Sequence, residues 1–226
     1  MKERPILFNA PMVRALLAGT KTQTRRVVKM KSHQQIEQRD DGTNWPWMYD
    51  GERDCDSWMA CHYGQPGDRL WVKETWRTAD TLDALSPSAI AEKCMDAGYS
   101  KPWAPLQWEA DGQRNREWSG FGPGNGVVVG PGKTRVSIHM PRWASRITLE
   151  VTGVRVERLQ DIDLADALAE GISDTGALIL DSAGNEQGGP IAEYAVLWEQ
   201  INGPGSWDAN PWVWVIEFKR VEGGAL

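Results

Sequence analysis

The strands of this chain are marked by alternating apolar and polar residues. Over residues 70–76 every second side chain belongs to one face, because successive strand residues point to opposite sides. The face directed at the core carries Leu70, Val72, Glu74 and Trp76. A second alternation over 147–156 changes phase at Gly153, as it does where a β-bulge inserts one extra residue. Further strands are predicted at residues 4–9 and 212–219.

Capping residues and helical spacing predict the helices. Asn9 is a good N-cap for a short helix that ends at Gly19. Either Asp161 or Asp163 caps another short helix, which ends at Gly171. The remaining helical segments are predicted at residues 87–96 and 191–201.

Three polar excursions separate these elements, at about residues 30–67, 78–133 and 173–189. They are rich in Gly, Pro and Trp and poor in periodicity, which is typical of functional loops. Their tryptophans either anchor the loops or stack on bases. Because the strands are scattered between the excursions, the most economical architecture is a single α+β domain over residues 1–226. We expect a small, mostly antiparallel β-barrel with two or three flanking helices and long inserted loops.

Composition narrows the class of protein. The 226 residues are 41% hydrophobic, which is enough for a sizeable core and excludes disorder as the main state. Lys+Arg 25 against Asp+Glu 31 give a net charge of -6, which argues against a sequence-blind nucleic-acid binder. No apolar run predicts a membrane span, and no apolar signal region follows the N-terminus. An odd number of cysteines favours a reducing cytoplasm. No cofactor and no obligate protein partner is inferred.

Glu74 is the most informative candidate for chemistry. Its neighbours on the strand face point to the core, so its carboxylate is directed at an apolar interior, where an ionised group requires a partner. One interpretation is structural: Glu74 reaches solvent at the strand end or pairs with an arginine. The other is chemical: burial raises the pKa of the Glu74 carboxyl and suits it to donate a proton.

A basic segment after the Gly19 turn supplies the second candidate. Its basic residues, with no acid among them, are Lys21, Arg25, Arg26, Lys29 and Lys31. Most such runs are solvated surfaces, but a desolvated lysine near a hydroxyl can create a nucleophile, and Lys21 and Thr24 have the residue types for this. At a spacing of three, the two side chains converge in a turn or helix but lie on opposite faces of a regular strand. The local conformation therefore decides whether they meet.

Two other constellations are weaker. The possible zinc ligands are Cys55, Cys61, His62 and Cys94. Their Cys-x₅-Cys-His spacing lacks the usual short ligand pairing, so ordinary reduced cysteines are the favoured interpretation. Arg142 and Trp143, with Arg146 nearby, offer a guanidinium and an aromatic plane that can clamp a nucleobase. The structural alternative is an arginine stacked on a half-buried tryptophan.

Two segments of the chain resemble the ASCH domain of the PUA-like superfamily. They are Ala18–Arg26, with the sequence AGTKTQTRR, and Gly67–Trp76, with the sequence GDRLWVKETW. Residues 137–147 and 205–212 are similar to a longer ASCH-type group found in bacteriophages and prophages. The resemblance implies a PUA-like barrel and, for a phage protein, the cytoplasm of a bacterial host. It covers the barrel strands rather than the three excursions.

A much smaller ASCH member is an amidohydrolase that removes the acetyl group from N(4)-acetylcytidine by means of a lysine, a threonine and a glutamate. Its motif matches Lys21, Thr24 and Glu74 here. The resemblance implies that Lys21 accepts a proton, Thr24 is the nucleophile and Glu74 protonates the leaving amine. Lys21 is then the expected counter-charge of Glu74. The small enzyme lacks the long insertions, so the identity of the substrate does not carry over.

The favoured hypothesis is therefore an amidohydrolase acting on an N-acylated nucleoside or base, such as N(4)-acetylcytidine. One alternative is a non-catalytic reader that holds a modified or flipped base of RNA or DNA. A second alternative is a ribonuclease that uses the same lysine and glutamate. The residues assigned to substrate or nucleic-acid binding are Arg25, Arg26, Trp76, Arg142 and Trp143. No metal site is predicted.

Overall fold

The structure is a computed structural model, and it describes residues 1–50, 55–115, 118, 129–173, 178–180 and 186–221. The strands are β1 (Glu3–Leu7), β2 (Gln23–Val27), β3 (Gln34–Gln38), β4 (Asn44–Asp50), β5 (Cys55–Trp58), β6 (Arg69–Lys73), β7 (Trp76–Thr78), β8 (Leu106–Trp108), β9 (Thr148–Arg158), β10 (Leu178–Leu180), β11 (Glu186–Gly188) and β12 (Trp212–Arg220). The helices are α1 (Ala10–Ala18), α2 (Pro87–Asp96), α3 (Leu164–Ala169) and α4 (Pro190–Asn202). Short 3₁₀ turns lie at Asp80–Leu82, Ser137–His139, Arg142–Ala144 and Leu159–Asp161. The chain is of the α+β class, as expected.

The chain forms two compact units, each assembled from separate segments. The first unit comprises residues 1–2, 18–68 and 150–219, and the second comprises residues 3–17, 69–149 and 220–226. The strand β9 begins in the second unit and continues in the first from Glu150. The single domain over residues 1–226 stays a prediction.

In the first unit, β12 lies between β9 and β2. β12 and β2 are antiparallel, with Arg25 opposite Val215 and Thr24 opposite Ile216. Helices α3 and α4 contribute to a core cluster with β12, which contains Leu159, Ile162, Ala167, Tyr194, Trp198, Val213 and Val215. A further antiparallel sheet has the order β3-β4-β5, and β10 pairs with β11. The helices therefore cover the face of β2 and β12 that carries Arg25 and Val215.

In the second unit, β1 and β6 are parallel, with Glu3 opposite Arg69 and Leu7 opposite Lys73. β7 and β8 are antiparallel. The main core cluster of this unit contains Trp76, Ile90, Ala104, Leu106, Trp108, Met140 and Ala144. Four chain segments contribute to this cluster, and it fixes Trp76, which lies two residues after Glu74.

The capping signals of two helices are visible as contacts. The Asn9 side-chain oxygen accepts a hydrogen bond from the Met12 backbone N–H at 3.0 Å, and Gly19 after α1 has a φ of +78°. Asp163 rather than Asp161 caps α3, since its carboxylate accepts from the Asp166 backbone N–H at 2.8 Å. The short α3 then ends one residue before Glu170, which brings that carboxylate to the end of the helix.

The inward face predicted for residues 70–76 is confirmed, although the strand is interrupted. β6 ends at Lys73 and β7 begins at Trp76, yet all four residues of that face are buried. The change of phase predicted in β9 is confirmed in part: Leu149 and Val151 are buried before Gly153 and Val156 is buried after it, but Val154 is only half-buried. A Cβ atom on Gly153 would lie 2.6 Å from a carboxylate oxygen of Glu217, so the end of that side chain would have to move to admit one.

Other details of the architecture differ from the expectation. None of the sheets formed by the described strands closes into a barrel, so the expected barrel is not confirmed. The described residues contain four helices rather than two or three, and the first excursion contains the sheet β3-β4-β5. β3 contains a single apolar residue, Ile36, which is too few to show the alternation that identifies a strand. The Gly-rich stretch 119–128 lies outside the described residues. No helix in the described part of the chain is long and apolar enough to cross a membrane.

Candidate functional site

Lys21 belongs to the first unit, and its side chain has no exposed surface. Its ammonium donates to the backbone carbonyl of Glu170 at 2.8 Å and to the Glu170 carboxylate at 2.6 Å. The backbones of the two residues also form an antiparallel β-bridge. Burial lowers the pKa of Lys21 below its usual value, although the Glu170 carboxylate opposes this effect. A single residue at the end of α3 thus supplies two acceptors to a buried ammonium.

The Glu170 carboxylate is approached by two further donors. Nη1 of Arg25 and the hydroxyl of Tyr194 lie 3.6 Å and 3.5 Å from its Oε1. Burial raises the pKa of Tyr194 well above its usual value, and the Glu170 charge adds to this effect, so Tyr194 stays a hydroxyl. These four residues, Lys21, Arg25, Glu170 and Tyr194, are called the Lys21 cluster below.

Arg25 is fixed from the other side by two more carboxylates. Its Nη2 lies 2.5 Å from Glu157 Oε1 and 2.7 Å from Asp166 Oδ2, and its side chain has no exposed surface. Arg155 shares both acids, at 2.9 Å from Glu157 and 2.8 Å from Asp166. Arg25, assigned to nucleic-acid binding from the sequence, is therefore turned inward and has no surface with which to meet a phosphate. Arg26, on the same strand, is partly exposed.

Thr24 faces away from the Lys21 cluster. Residues directly opposite in an antiparallel pair share a face, so Arg25 lies with Val215 under the helices and Thr24 lies with Ile216 on the other side. Thr24 is buried, and its hydroxyl has no hydrogen-bond partner in the described part of the chain. The segment is therefore a strand at this point, and the Lys21 ammonium makes no hydrogen bond to Thr24. A buried hydroxyl without a partner is uncommon.

Glu74 belongs to the second unit and lies between β6 and β7, where it is 1% exposed. Arg146 binds its carboxylate through two parallel bonds, Nε to Oε1 and Nη2 to Oε2, each 2.9 Å long. The Glu74 backbone N–H points at the sulfur of Met140, 3.3 Å away. Burial raises the pKa of Glu74 above its usual value, against the opposing effect of Arg146. Glu74 thus pairs with an arginine and still has a raised pKa.

Arg146 also binds the turn that follows β8. Its Nη1 and Nη2 lie 2.8 Å and 3.0 Å from the two carboxylate oxygens of Asp111, and Nη1 lies 3.2 Å from the Gln113 side-chain oxygen. The guanidinium carbon is 4.6 Å from the centre of the Trp108 ring. One guanidinium therefore joins a buried and an exposed carboxylate over an aromatic face. Glu74, Trp108, Asp111 and Arg146 are called the Glu74 cluster below.

The counter-charges shown by the structure differ from the expected one. Lys21 is paired with Glu170, and Glu74 is paired with Arg146. The expectation that Lys21 is the counter-charge of Glu74 is therefore replaced by these two pairs. Lys21 and Thr24 lie in the first unit and Glu74 lies in the second.

The remaining residues assigned to binding lie on or near the core of the second unit. The ring of Trp76 is fully buried in its main core cluster, which explains its position by packing. Trp143 is partly buried and meets Trp76 edge to face, with 5.9 Å between ring centres. Arg142 is exposed, and its guanidinium bonds to Glu3 at 3.0 Å and to the Thr148 hydroxyl at 3.2 Å. Of this set, Arg142 and Trp143 therefore keep exposed surface.

The cysteines show ordinary thiol contacts where their side chains are described. Cys94 Sγ lies 2.9 Å from the Trp103 carbonyl oxygen, and Cys61 is a buried cysteine outside any disulfide. His62 is exposed, and the side chain of Cys55 lies outside the described part. Within the described ranges, no group of three or more His, Cys, Asp or Glu residues could hold a metal ion.

Two tryptophans of the excursions anchor their segments. The indole N–H of Trp45 donates to the Met59 carbonyl at 2.8 Å, and its ring meets Trp214 edge to face at 5.0 Å. The indole N–H of Trp108 donates to the Ala144 carbonyl at 3.0 Å. For these two residues, anchoring rather than base stacking accounts for the tryptophan.

Sequence reasoning missed three residues of these clusters: Glu170, Tyr194 and Asp111. A signal for the first was available, since Asp166 and Glu170 are four residues apart and one helical face therefore carries both carboxylates. In the sequence, Tyr194 is recognisable only as an apolar position of the helix predicted at residues 191–201. Asp111 gave no signal, because its partner Arg146 is 35 residues away in sequence.

A comparison with models of protein families finds no match, and searches among curated proteins and solved structures find no significant match to this chain. We therefore infer the function from the chemistry of the two clusters and from the motif residues themselves.

Proposed function

We propose that this protein is a cytoplasmic amidohydrolase that acts on an N-acylated nucleoside or base such as N(4)-acetylcytidine. Lys21 is the proton acceptor, Thr24 the nucleophile and Glu74 the proton donor. The proposal includes membership of the ASCH group with its PUA-like barrel, which is supported by the segments Ala18–Arg26 and Gly67–Trp76.

One observation carries the proposal. Burial lowers the pKa of Lys21 and raises the pKa of Glu74. An amine that loses its proton more easily is suited to act as a base, and a carboxyl that keeps its proton is suited to act as an acid. Groups whose environments move their pKa values in opposite directions are the usual pattern of an acid–base pair in an enzyme. The shifts have the directions that the two roles require.

The reaction divides into two steps. The Thr24 hydroxyl oxygen attacks the acyl carbon and its proton passes to the neutral amine of Lys21, after which the C–N bond breaks and Glu74 protonates the leaving amine. Water then attacks the Thr24 ester and gives one proton to the Glu74 carboxylate, while the Lys21 ammonium returns its proton to the Thr24 oxygen as the acid is released. Because Lys21 bonds to Glu170 and Thr24 faces the other side of β2, the first step requires Lys21 to leave Glu170 and the two side chains to be brought together. Catalytic hydrogen bonds of this kind often form only when the substrate is bound.

Turnover of N(4)-acetylcytidine and related N-acylated nucleosides, measured beside their binding, tests the proposal. Thr24→Val keeps the shape of the side chain and removes the hydroxyl, so it should reduce kcat by orders of magnitude and leave binding nearly unchanged. Thr22→Val is the matched control, because Thr22 is an exposed threonine of the same segment and should tolerate the change. A wild-type rate in Thr24→Val would exclude Thr24 as the nucleophile.

The alternative functions give different results in the same experiment. A reader of modified bases would bind without turnover. Arg142→Ala or Trp143→Ala would then weaken its binding by about 1–3 kcal/mol if the aromatic ring stacks on a base, and Thr24→Val would be nearly silent. Release of fragments from RNA would identify a ribonuclease. Either result would contradict the amidohydrolase.

A further inference from the structure

Glu170 makes two hydrogen bonds to the Lys21 ammonium. Its carbonyl lies 2.8 Å and its carboxylate 2.6 Å from Nζ, and both side chains are almost completely buried. The end of α3 holds the carbonyl in place, because the Glu170 backbone N–H donates to the Asp166 carbonyl at 2.9 Å. The ammonium is thus fixed in position by a backbone atom and a side-chain atom of one residue.

The charges around this contact act in two directions. Arg25 and Arg26 on the neighbouring strand disfavour a further positive charge at Lys21, and Glu170 favours it. Around Glu170 itself, Arg25 Nη1 and the Tyr194 hydroxyl lie 3.6 Å and 3.5 Å from Oε1. The carboxylate that holds Lys21 is therefore itself contacted by groups on β2 and α4.

We propose that Glu170 is a positioning residue for Lys21. Glu170 fixes the place of the Lys21 ammonium and sets the pH at which Lys21 becomes a neutral base. The catalytic consequence rests on the proposed function, but the ionisation of Lys21 does not. The sequence resemblance assigns no role to Glu170. Tyr194 and Arg25 act through Glu170, because both approach its Oε1 while its Oε2 binds Lys21.

The test follows the ionisation of Lys21 directly, by the chemical shift of its ¹³C-labelled side chain as a function of pH. Glu170→Gln removes the negative charge of the side chain and leaves the backbone carbonyl in place. The midpoint of the Lys21 titration should therefore move to lower pH by about 1–3 pH units. Asp166→Asn is the matched control. It removes a carboxylate of the same helix that binds Arg25 and Arg155, and it should leave the Lys21 midpoint nearly unchanged.

An unchanged midpoint in Glu170→Gln, or an equal movement in Asp166→Asn, would overturn the proposal. If Glu170→Gln does not fold, Glu170→Asp gives the same test, because it withdraws the carboxylate by one methylene and should move the midpoint in the same direction. In an active enzyme, the acidic limb of the kcat/KM profile must move with the titration. If Glu170→Gln lowers kcat but leaves the acidic limb of the kcat/KM profile unmoved, the role of Glu170 is merely structural. Absence of turnover in the wild-type protein would contradict the amidohydrolase and leave the titration result valid.

Discussion

The pair between Arg146 and Glu74 leads to a quantitative prediction about folding stability. Arg146→Met removes both 2.9 Å bonds and leaves a carboxylate that is 2% exposed without its counter-charge. Stranding a buried charge in this way costs about 3–5 kcal/mol. Asp111 loses the same partner, but its more exposed pair contributes only about 0–1 kcal/mol. At roughly 2–4 °C per kcal/mol for a chain of this size, Tm should fall by about 6–20 °C.

The loss of folding stability in Arg146→Met should also depend on pH, and the pKa of Glu74 determines the direction of this dependence. Burial raises the pKa of folded Glu74 above its unfolded value, so the folded state binds this proton more readily and stability from this group rises as the pH falls. In Arg146→Met the opposing effect of the guanidinium is gone, so the rise is steeper than in the wild type. The difference between the two proteins should therefore be largest near about pH 7.5 and shrink towards about pH 5.

Urea unfolding followed by tryptophan fluorescence, at about pH 7.5 and about pH 5, measures both effects. The control is the double variant Glu74→Gln/Arg146→Met, which removes both charges and should recover most of the lost stability. If the double variant is no more stable than Arg146→Met alone, the loss does not come from a stranded charge, and the reasoning fails.

Two further predictions concern a crowded glycine and the cap of a helix. In Gly132→Ala the new Cβ would lie 2.2 Å from an Asp83 carboxylate oxygen. This oxygen is held in place, because it accepts a hydrogen bond from the Lys133 backbone N–H at 2.9 Å. Thermal melting should therefore show that the free energy of unfolding falls by about 1–3 kcal/mol. The loss should be smaller when Asp83 is already alanine, and additive losses would contradict the clash. Asp163→Ala removes the cap of α3 and should lower the free energy of unfolding by about 1 kcal/mol, whereas Asp163→Asn should retain most of it. Equal losses in both variants would argue against capping.

Elements with a strong local signal could be predicted from the sequence. The helix α2 has the predicted bounds, because Ser86, whose side-chain oxygen accepts from the Ala89 backbone N–H, precedes Pro87 at the helix start. The inward face that includes Glu74 was also predicted, since a period of two survives even where the strand is interrupted. By contrast, β3 was missed because it gains its structure from pairing with β4 rather than from an apolar face.

The candidate residues could be found from the sequence, but their partners could not. Lys21, Thr24 and Glu74 are all buried, as a chemical role for them requires. The partner of Lys21 is 149 residues away and the partner of Glu74 is 72 residues away, so only the topology of the chain brings each pair together. The face on which Thr24 lies could not be predicted either, because it depends on the pairing of β2 with the distant strand β12.

The position of β12 between β9 and β2 has a consequence for synthesis on the ribosome. β2 ends at Val27 and its hydrogen-bonding partner β12 ends at Arg220. At about 5–20 residues per second, the segment that carries Lys21 and Arg25 waits roughly 10–40 s before its partner strand emerges. During that interval the future cluster is hydrated, and its charges keep an unpaired strand soluble. The ionic groups that are buried in the finished protein therefore protect the nascent chain from premature association.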